Sequence, residues 1–126
     1  MPAENSSKKS PKKILLAEDD DSMRRFVEII LKKAGYEVLT AEDGLAALPI
    51  ALETEIDAVV ADAIMPNLSG YDLCRMLRGN AEKKELPLII LSGLAENNPD
   101  NKLADAFLSK DTNLKENLIA ALQNLL

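Results

Sequence analysis

Six residues of this chain stand just beyond short apolar runs, and their types together could do chemistry. Glu18, Asp19 and Asp20 follow the run ILLA, Asp62 follows AVVA, Ser92 follows LIIL, and Lys110 comes two residues after AFL. Taken singly, each has a plain structural role. Asp20 and Asp21 ahead of a helix would cap its N-terminus and complement its dipole; Asp62 would sit in a turn, Ser92 would cap, and Lys110 would be a solvated charge. Taken together they are harder to set aside, because neighbouring parallel strands would bring Glu18, Asp19 and Asp62 into one crevice. Two carboxylates about 5 Å apart repel by about 3 kcal/mol at an effective dielectric of about 20, so three of them require relief. A hard divalent cation supplies it, and oxygen donors without histidine or cysteine favour Mg²⁺ or Mn²⁺ over zinc. A cation beside carboxylates, facing a hydroxyl and an ammonium, is equipment for phosphoryl transfer. The cation and Lys110 would neutralise charge on the phosphoryl oxygens, Ser92 would hydrogen-bond one of them, and Asp62 would be the nucleophile, forming an acyl phosphate.

Composition narrows the alternatives. The chain has 126 residues, 47% of them apolar, which fits one compact domain with one core. It contains no histidine, which excludes a Ser-His-Asp triad, a His-ligated metal and a phosphohistidine carried by this chain. One cysteine, Cys74, forms no intramolecular disulfide and belongs to no Cys-x-x-Cys pair, as fits a reducing cytoplasm. The net charge of −6 argues against nonspecific attraction to nucleic acid or anionic lipid, leaving a protein or a cation as the expected partner. No apolar run approaches the ~18 residues that span a bilayer, and the start MPAENSSKKSPKK has no apolar signal core. The expectation is a soluble cytoplasmic protein with a disordered tail over residues 1–11 and one domain over 12–126.

The elements that must position the six residues follow from pattern. ILLA (14–17), EVLT (37–40), AVVA (58–61), LIIL (88–91) and AFL (106–108) are continuous apolar runs, as parallel strands buried on both faces require. Between them lie helical patterns. Met23, Phe26, Val27, Ile30, Leu31 and Ala34 recur at spacings of three and four before Gly35 ends the helix. Ser69 and Asp72 form a capping-box pattern opening a helix with Leu73, Met76 and Leu77 inward, and Leu114, Leu118, Ala121, Leu122 and Leu125 stripe the last helix. Residues 44–54 read as a helix with a defect at Pro49, which removes one helical hydrogen bond. Alternating strands and helices imply right-handed crossovers, and in open α/β sheets the site lies beyond the carboxyl ends of the strands.

At this point four stretches in order, ILLAEDDDSMRR, VVADAIMPNLSG, LPLIILSG and AFLSK, resemble the receiver domain of response regulators in two-component signalling, including the stand-alone chemotaxis type. The resemblance covers about residues 12–126. It implies a flavodoxin-like, doubly wound five-stranded parallel sheet of order 2-1-3-4-5. It also implies a Mg²⁺-dependent phosphoacceptor that receives its phosphoryl group from a sensor histidine kinase or phosphotransfer protein and then switches its surface. Residue by residue, Asp62 would be the phosphorylated aspartate, Asp19 a direct Mg²⁺ ligand, Glu18 a second acidic residue acting through water, and the Ile64 carbonyl the last protein ligand. Ser92 would be the switch hydroxyl, Lys110 the lysine at the phosphate, and Phe107 the aromatic whose rotamer reports the state, while Pro66 and Gly70 shape the loop.

The chain departs from the family pattern in three places. Asp111 replaces the proline that usually follows the lysine, so a trans Lys110–Asp111 bond is expected, with the Lys110 ammonium near the crevice but poorly fixed. Only fourteen residues separate Ser92 from Phe107, so the helix between strands four and five is expected to be stunted or irregular. Phe107 lacks the hydroxyl of the usual tyrosine. The missing proline and the short segment before Phe107 favour the alternative of a degenerate receiver that binds partners without phosphorylation, whereas the complete set of Glu18, Asp19, Asp62, Ser92 and Lys110 disfavours it. An aspartate-nucleophile phosphatase would want an acid where Ile64 stands. A flavin binder would want a hydroxyl-rich loop where the chain is acidic.

Overall fold

A computed structural model describes residues 11–93 and 102–126. The chain runs β1 (Lys13–Ala17), α1 (Asp21–Lys33), β2 (Glu37–Ala41), α2 (Gly44–Glu53), β3 (Ala58–Asp62), α3 (Gly70–Arg78), β4 (Leu88–Ser92), β5 (Ala106–Ser109) and α4 (Leu114–Leu125). The strands form one parallel sheet in the order β2-β1-β3-β4-β5, as expected. β1, β3 and β4 lie inside the sheet, and from Ile14 to Ala17, Ala58 to Asp62 and Leu88 to Ser92 every residue is buried. That is why these segments read as unbroken apolar runs.

Alternate residues of each strand serve opposite faces. Leu15, Ala17, Val59, Ala61, Leu88 and Ile90 pack with Ala47 and Ala51 of α2 and with Leu73, Cys74 and Leu77 of α3. Ile14, Leu16, Val60, Ile89 and Leu91 pack with Val27 and Leu31 of α1 and with Leu114, Leu118 and Leu122 of α4. Cys74 is buried against the sheet, and desolvation pushes its thiol up to about 12.

The helix ends follow their local signals. Asp20 caps α1, its side chain accepting the Met23 N–H at 2.7 Å, and Gly35 takes the left-handed conformation (φ 99°) just past the helix. Ser69 and Asp72 form the expected capping box on α3, and the Arg75 guanidinium, then the Ser69 hydroxyl and N–H, hold the Asp72 carboxyl below its ordinary value. α2 continues through Pro49. Pro49 and Leu45, whose carbonyl loses its donor, both lie on the exposed side of α2, where solvent can satisfy that carbonyl.

The inward assignment of Met76 is corrected, and two residues of the α1 pattern also face outward. Phe26 is 51% exposed and Met76 is 49% exposed, and Ala34 at the end of α1 is exposed too. The apolar stripe is wider than the contact with the sheet, so Val27, Ile30 and Leu31 on α1, and Leu73, Cys74 and Leu77 on α3, take the buried arc and leave the margin outside. The expected tail and the expected irregular connection between β4 and β5 fall mainly on residues 1–10 and 94–101, outside the described residues.

Candidate functional site

The carboxyl ends of β1, β3, β4 and β5 open on one side of the sheet, as parallel strands require, and they carry the residues singled out by type. Glu18 follows β1 directly; its N–H donates to the Ala41 carbonyl at 3.1 Å, continuing the β1–β2 ladder by one residue and fixing where its side chain starts. Asp62 ends β3, in register with Leu91, and Ala63 donates to the Leu91 carbonyl at 2.8 Å. Ser92 ends β4 and is buried. Lys110 lies one residue past β5, where its N–H donates to the Ser92 carbonyl at 2.8 Å.

The side chains then meet. One oxygen each from Glu18, Asp19 and Asp62 lie within 4.8 Å of one another, with Asp19 at the exposed mouth and the other two buried. The Lys110 ammonium donates to Glu18 Oε1 at 2.7 Å and lies 3.1 Å from Asp62 Oδ2. The backbone N–H of Asp20 donates to Glu18 Oε2 at 3.1 Å, so both Glu18 oxygens have partners. Burial nevertheless raises the Glu18 carboxyl to about 7, with the Asp62 carboxylate beside it adding to the rise. Burial opposes the charge on Lys110 as well, but Glu18 and Asp62 outweigh it and hold the ammonium above its ordinary value.

No peptide bond among the described residues is cis, so the Lys110–Asp111 bond is trans, as its residues require. The expectation that Lys110 is poorly fixed is corrected: its backbone is tied to β4 and its ammonium to two carboxylates. The ladder hydrogen bond to Ser92 aims the side chain without a proline.

Ile64 and Phe107 sit apart from this cluster. The Ile64 side chain is 62% exposed, and its N–H approaches Asp62 Oδ1 at 3.5 Å, so this residue borders the crevice through its backbone. Phe107 pairs in register with Ile90 and is half-buried against the α2 and α3 side of the core. Arg24 escaped the reading by type. Its guanidinium donates to the Glu18 carbonyl at 2.9 Å and pairs with Asp21 at 2.6 Å, bracing the acidic corner. The signal was its place one turn after the N-cap Asp20, where a long side chain reaches back over the preceding turn.

Three facing carboxylates, a lysine and a buried hydroxyl at the carboxyl end of a doubly wound sheet define a class, the receivers of two-component signalling. Residues 14–123 match the response regulator receiver domain, and the chain belongs to that family, with chemotaxis-type receivers among its relatives. It is 40% identical over 84 residues to the probable transcriptional regulator ycf27 of Galdieria sulphuraria, covering 67% of this chain and 32% of that protein. The chain thus spans about a third of the length of the ycf27 relatives. Among solved structures, Vibrio cholerae chemotaxis protein CheY4 superposes with a TM-score of 0.84 at 32% identity, over 92% of this chain and 99% of that one. The response regulator TrrA of Thermotoga maritima, in complex with Mg²⁺-BeF, also gives 0.84, at 30% identity and 91% and 99% coverage.

Receiver domains bind Mg²⁺ at an acidic pocket, and the residues here fit that ion: a donor set of oxygens alone, three carboxylates close together, and one of them so buried that burial disfavours its charge. No helix among the described residues is long and apolar enough to cross a membrane.

Proposed function

We propose that this chain is a phosphoacceptor module that takes a phosphoryl group onto Asp62 from the phosphohistidine of a sensor histidine kinase or phosphotransfer protein, in a Mg²⁺-dependent reaction. The observation that carries the reading is the convergence of Glu18, Asp19 and Asp62 with the Lys110 ammonium, four charged groups from three strand ends in one crevice. The donor residue belongs to another protein, because this chain has no histidine.

A carboxylate oxygen of Asp62 attacks the phosphorus as the bond to the donor's imidazole nitrogen breaks, and that nitrogen keeps the electron pair and takes a proton. The product is an acyl phosphate on Asp62. Asp19, Asp62 and the Ile64 carbonyl would hold Mg²⁺ directly, with Glu18 acting through water. When bound, the ion supplies positive charge to the phosphoryl oxygens. Lys110, paired with Glu18 and Asp62, would move from the two carboxylates to a phosphoryl oxygen of the incoming dianion. Ser92, on the strand beside Asp62, hydrogen-bonds another oxygen. Phe107, which packs against the core from the neighbouring strand, carries the change to the surface. TrrA, named as a complex with Mg²⁺-BeF, supports the metal dependence by its similarity to this chain.

The test is incubation with a small phosphodonor and Mg²⁺ followed by intact-mass analysis. The parent gains one phosphoryl group, and Asp62→Asn gains none. Equal labelling of that variant would move the nucleophile to Asp19. No labelling of a folded, Mg²⁺-binding parent would favour a phosphorylation-independent interaction module.

A further inference from the structure

The loop from Ala63 to Ser69, which carries the Ile64 carbonyl, is pinned to the sheet at its start and closed back onto its own first residue at its end. Ala63 donates to the Leu91 carbonyl at 2.8 Å, and Gly70 donates back to the Ala63 carbonyl at 3.0 Å. Between those points it leans on a different element, the corner where β2 turns into α2. Asp43 caps α2 with one carboxylate oxygen, accepting the Ala46 N–H at 2.8 Å, and with the other accepts the Asn67 side-chain amide at 3.0 Å. The Ala46 bond first, and the Asn67 bond next, hold the Asp43 carboxyl below its ordinary value. One residue on, a Cβ on Gly44 would lie 2.2 Å from the Leu68 carbonyl oxygen, so the corner and the loop touch backbone to backbone. Asn67 adopts the left-handed conformation (φ 71°), unlike every other described non-glycine residue.

An asparagine is the residue that serves both needs at this point, since it tolerates that backbone and offers an amide that reaches Asp43. We propose that Asp43 and Asn67 are positioning residues for the metal centre, their hydrogen bond latching the acceptor loop to the β2–α2 corner so that the Ile64 carbonyl stays at the distance Mg²⁺ needs. The proposal rests on the metal reading given above. Neither residue supplies a ligand; both act three or more residues away through the backbone they hold. Mg²⁺ demands near-ideal geometry, so a loop that wanders by a fraction of an ångström weakens binding although no ligand is lost.

The test uses calorimetric Mg²⁺ titration of the full chain, alongside thermal melting in a chelator. Asn67→Gly removes the amide but keeps the left-handed backbone accessible, and Asp43→Ser keeps a good helix cap but is too short to reach Asn67. Each variant should bind Mg²⁺ about three- to tenfold more weakly than the parent, and the double variant no more weakly than either single one, because one shared contact is lost. Asp43→Asn should restore affinity, since its oxygen can cap Ala46 while its amide donates to a flipped Asn67 side chain. Melting of metal-free Asn67→Gly should stay near the parent's, separating positioning from folding. Parent-like Mg²⁺ affinity in Asn67→Gly, or fully additive losses in the double variant, would overturn the latch while leaving the metal site standing. A folded parent that binds no Mg²⁺ at all would overturn the metal reading and the latch with it.

Discussion

Lys110 holds two carboxylates at once. Its 2.7 Å contact with Glu18 and 3.1 Å contact with Asp62 place one positive charge against two negative ones in a crevice where Glu18 is 1% exposed. Removing the ammonium would leave both carboxylates buried without their cation. The usual cost of orphaning a buried charge is several kcal/mol, but Glu18, already raised to about 7, can escape part of it by taking a proton. Lys110→Met is therefore expected to lose about 2 to 3 kcal/mol of unfolding free energy at neutral pH in a chelator. Saturating Mg²⁺ should shrink the gap to the parent, since the ion replaces the missing charge. Denaturant titrations with and without Mg²⁺ measure both quantities, and a chelator-treated variant as stable as the parent would mean that Lys110 contributes nothing to holding the acidic pocket together. That Glu18, Asp19, Asp62 and Lys110 would meet was legible because their types are rare at such positions and chemically complementary. What the sequence could not convey was that Lys110 is firmly aimed, because that depends on one ladder hydrogen bond to Ser92, a partner eighteen residues away.

Among the elements, α3 is the one most tightly married to the site. Its first residue, Gly70, approaches the end of β3 so closely that a Cβ there would lie 2.2 Å from the Asp62 carbonyl oxygen and 3.2 Å from the Ala63 Cα. Backbone cannot give way as a flexible side chain can. Gly70→Ala must then push the start of α3 off the end of β3, at an expected cost of about 2 to 3 kcal/mol, and if Asp62 takes the phosphoryl group its labelling should slow because the loop between them moves too. Chemical denaturation and labelling rates check it; a variant matching the parent in both would show that the helix start has room to spare. The capping box at Ser69 and Asp72 and the interior strands could be read directly, since each rests on local chemistry or on burial of both faces. Phe26 and Met76 could not be placed, because spacing marks an apolar stripe but not where the neighbouring sheet stops covering it. The Asp43–Asn67 contact escaped notice for a similar reason: Asp43 reads as an ordinary cap, and its second oxygen is committed to a loop twenty-four residues on.

The described residues form a single sheet with two cores that do not share side chains. Ile14 belongs to the α1 and α4 face and Ile90 to the α2 and α3 face, with β3 between their strands. Shaving one methylene from each, as Ile14→Val and Ile90→Val, should cost about 1 kcal/mol apiece. Because the two sites have no common packing partners, the double variant should lose the sum to within about 0.5 kcal/mol. Urea denaturation of the four proteins provides the comparison. A departure well beyond that margin would mean the sheet transmits strain from one face to the other. Such transmission would bear directly on how a change at Asp62 reaches a partner surface, since Asp62 stands at the end of the central strand common to both cores.

The buried thiol gives this molecule an internal clock. Burial pushes the ionisation of Cys74 up and so holds it as the unreactive thiol at neutral pH, and its place against the sheet keeps reagents from reaching it. Alkylation must wait for α3 to lift away, so the rate of modification counts openings of that helix rather than the reactivity of the sulfur. The helix whose departures are counted is the one that starts against Asp62. A slow, unperturbing chemical label on the one cysteine can thus report how often the Asp62 end of the sheet comes undone, with no residue changed.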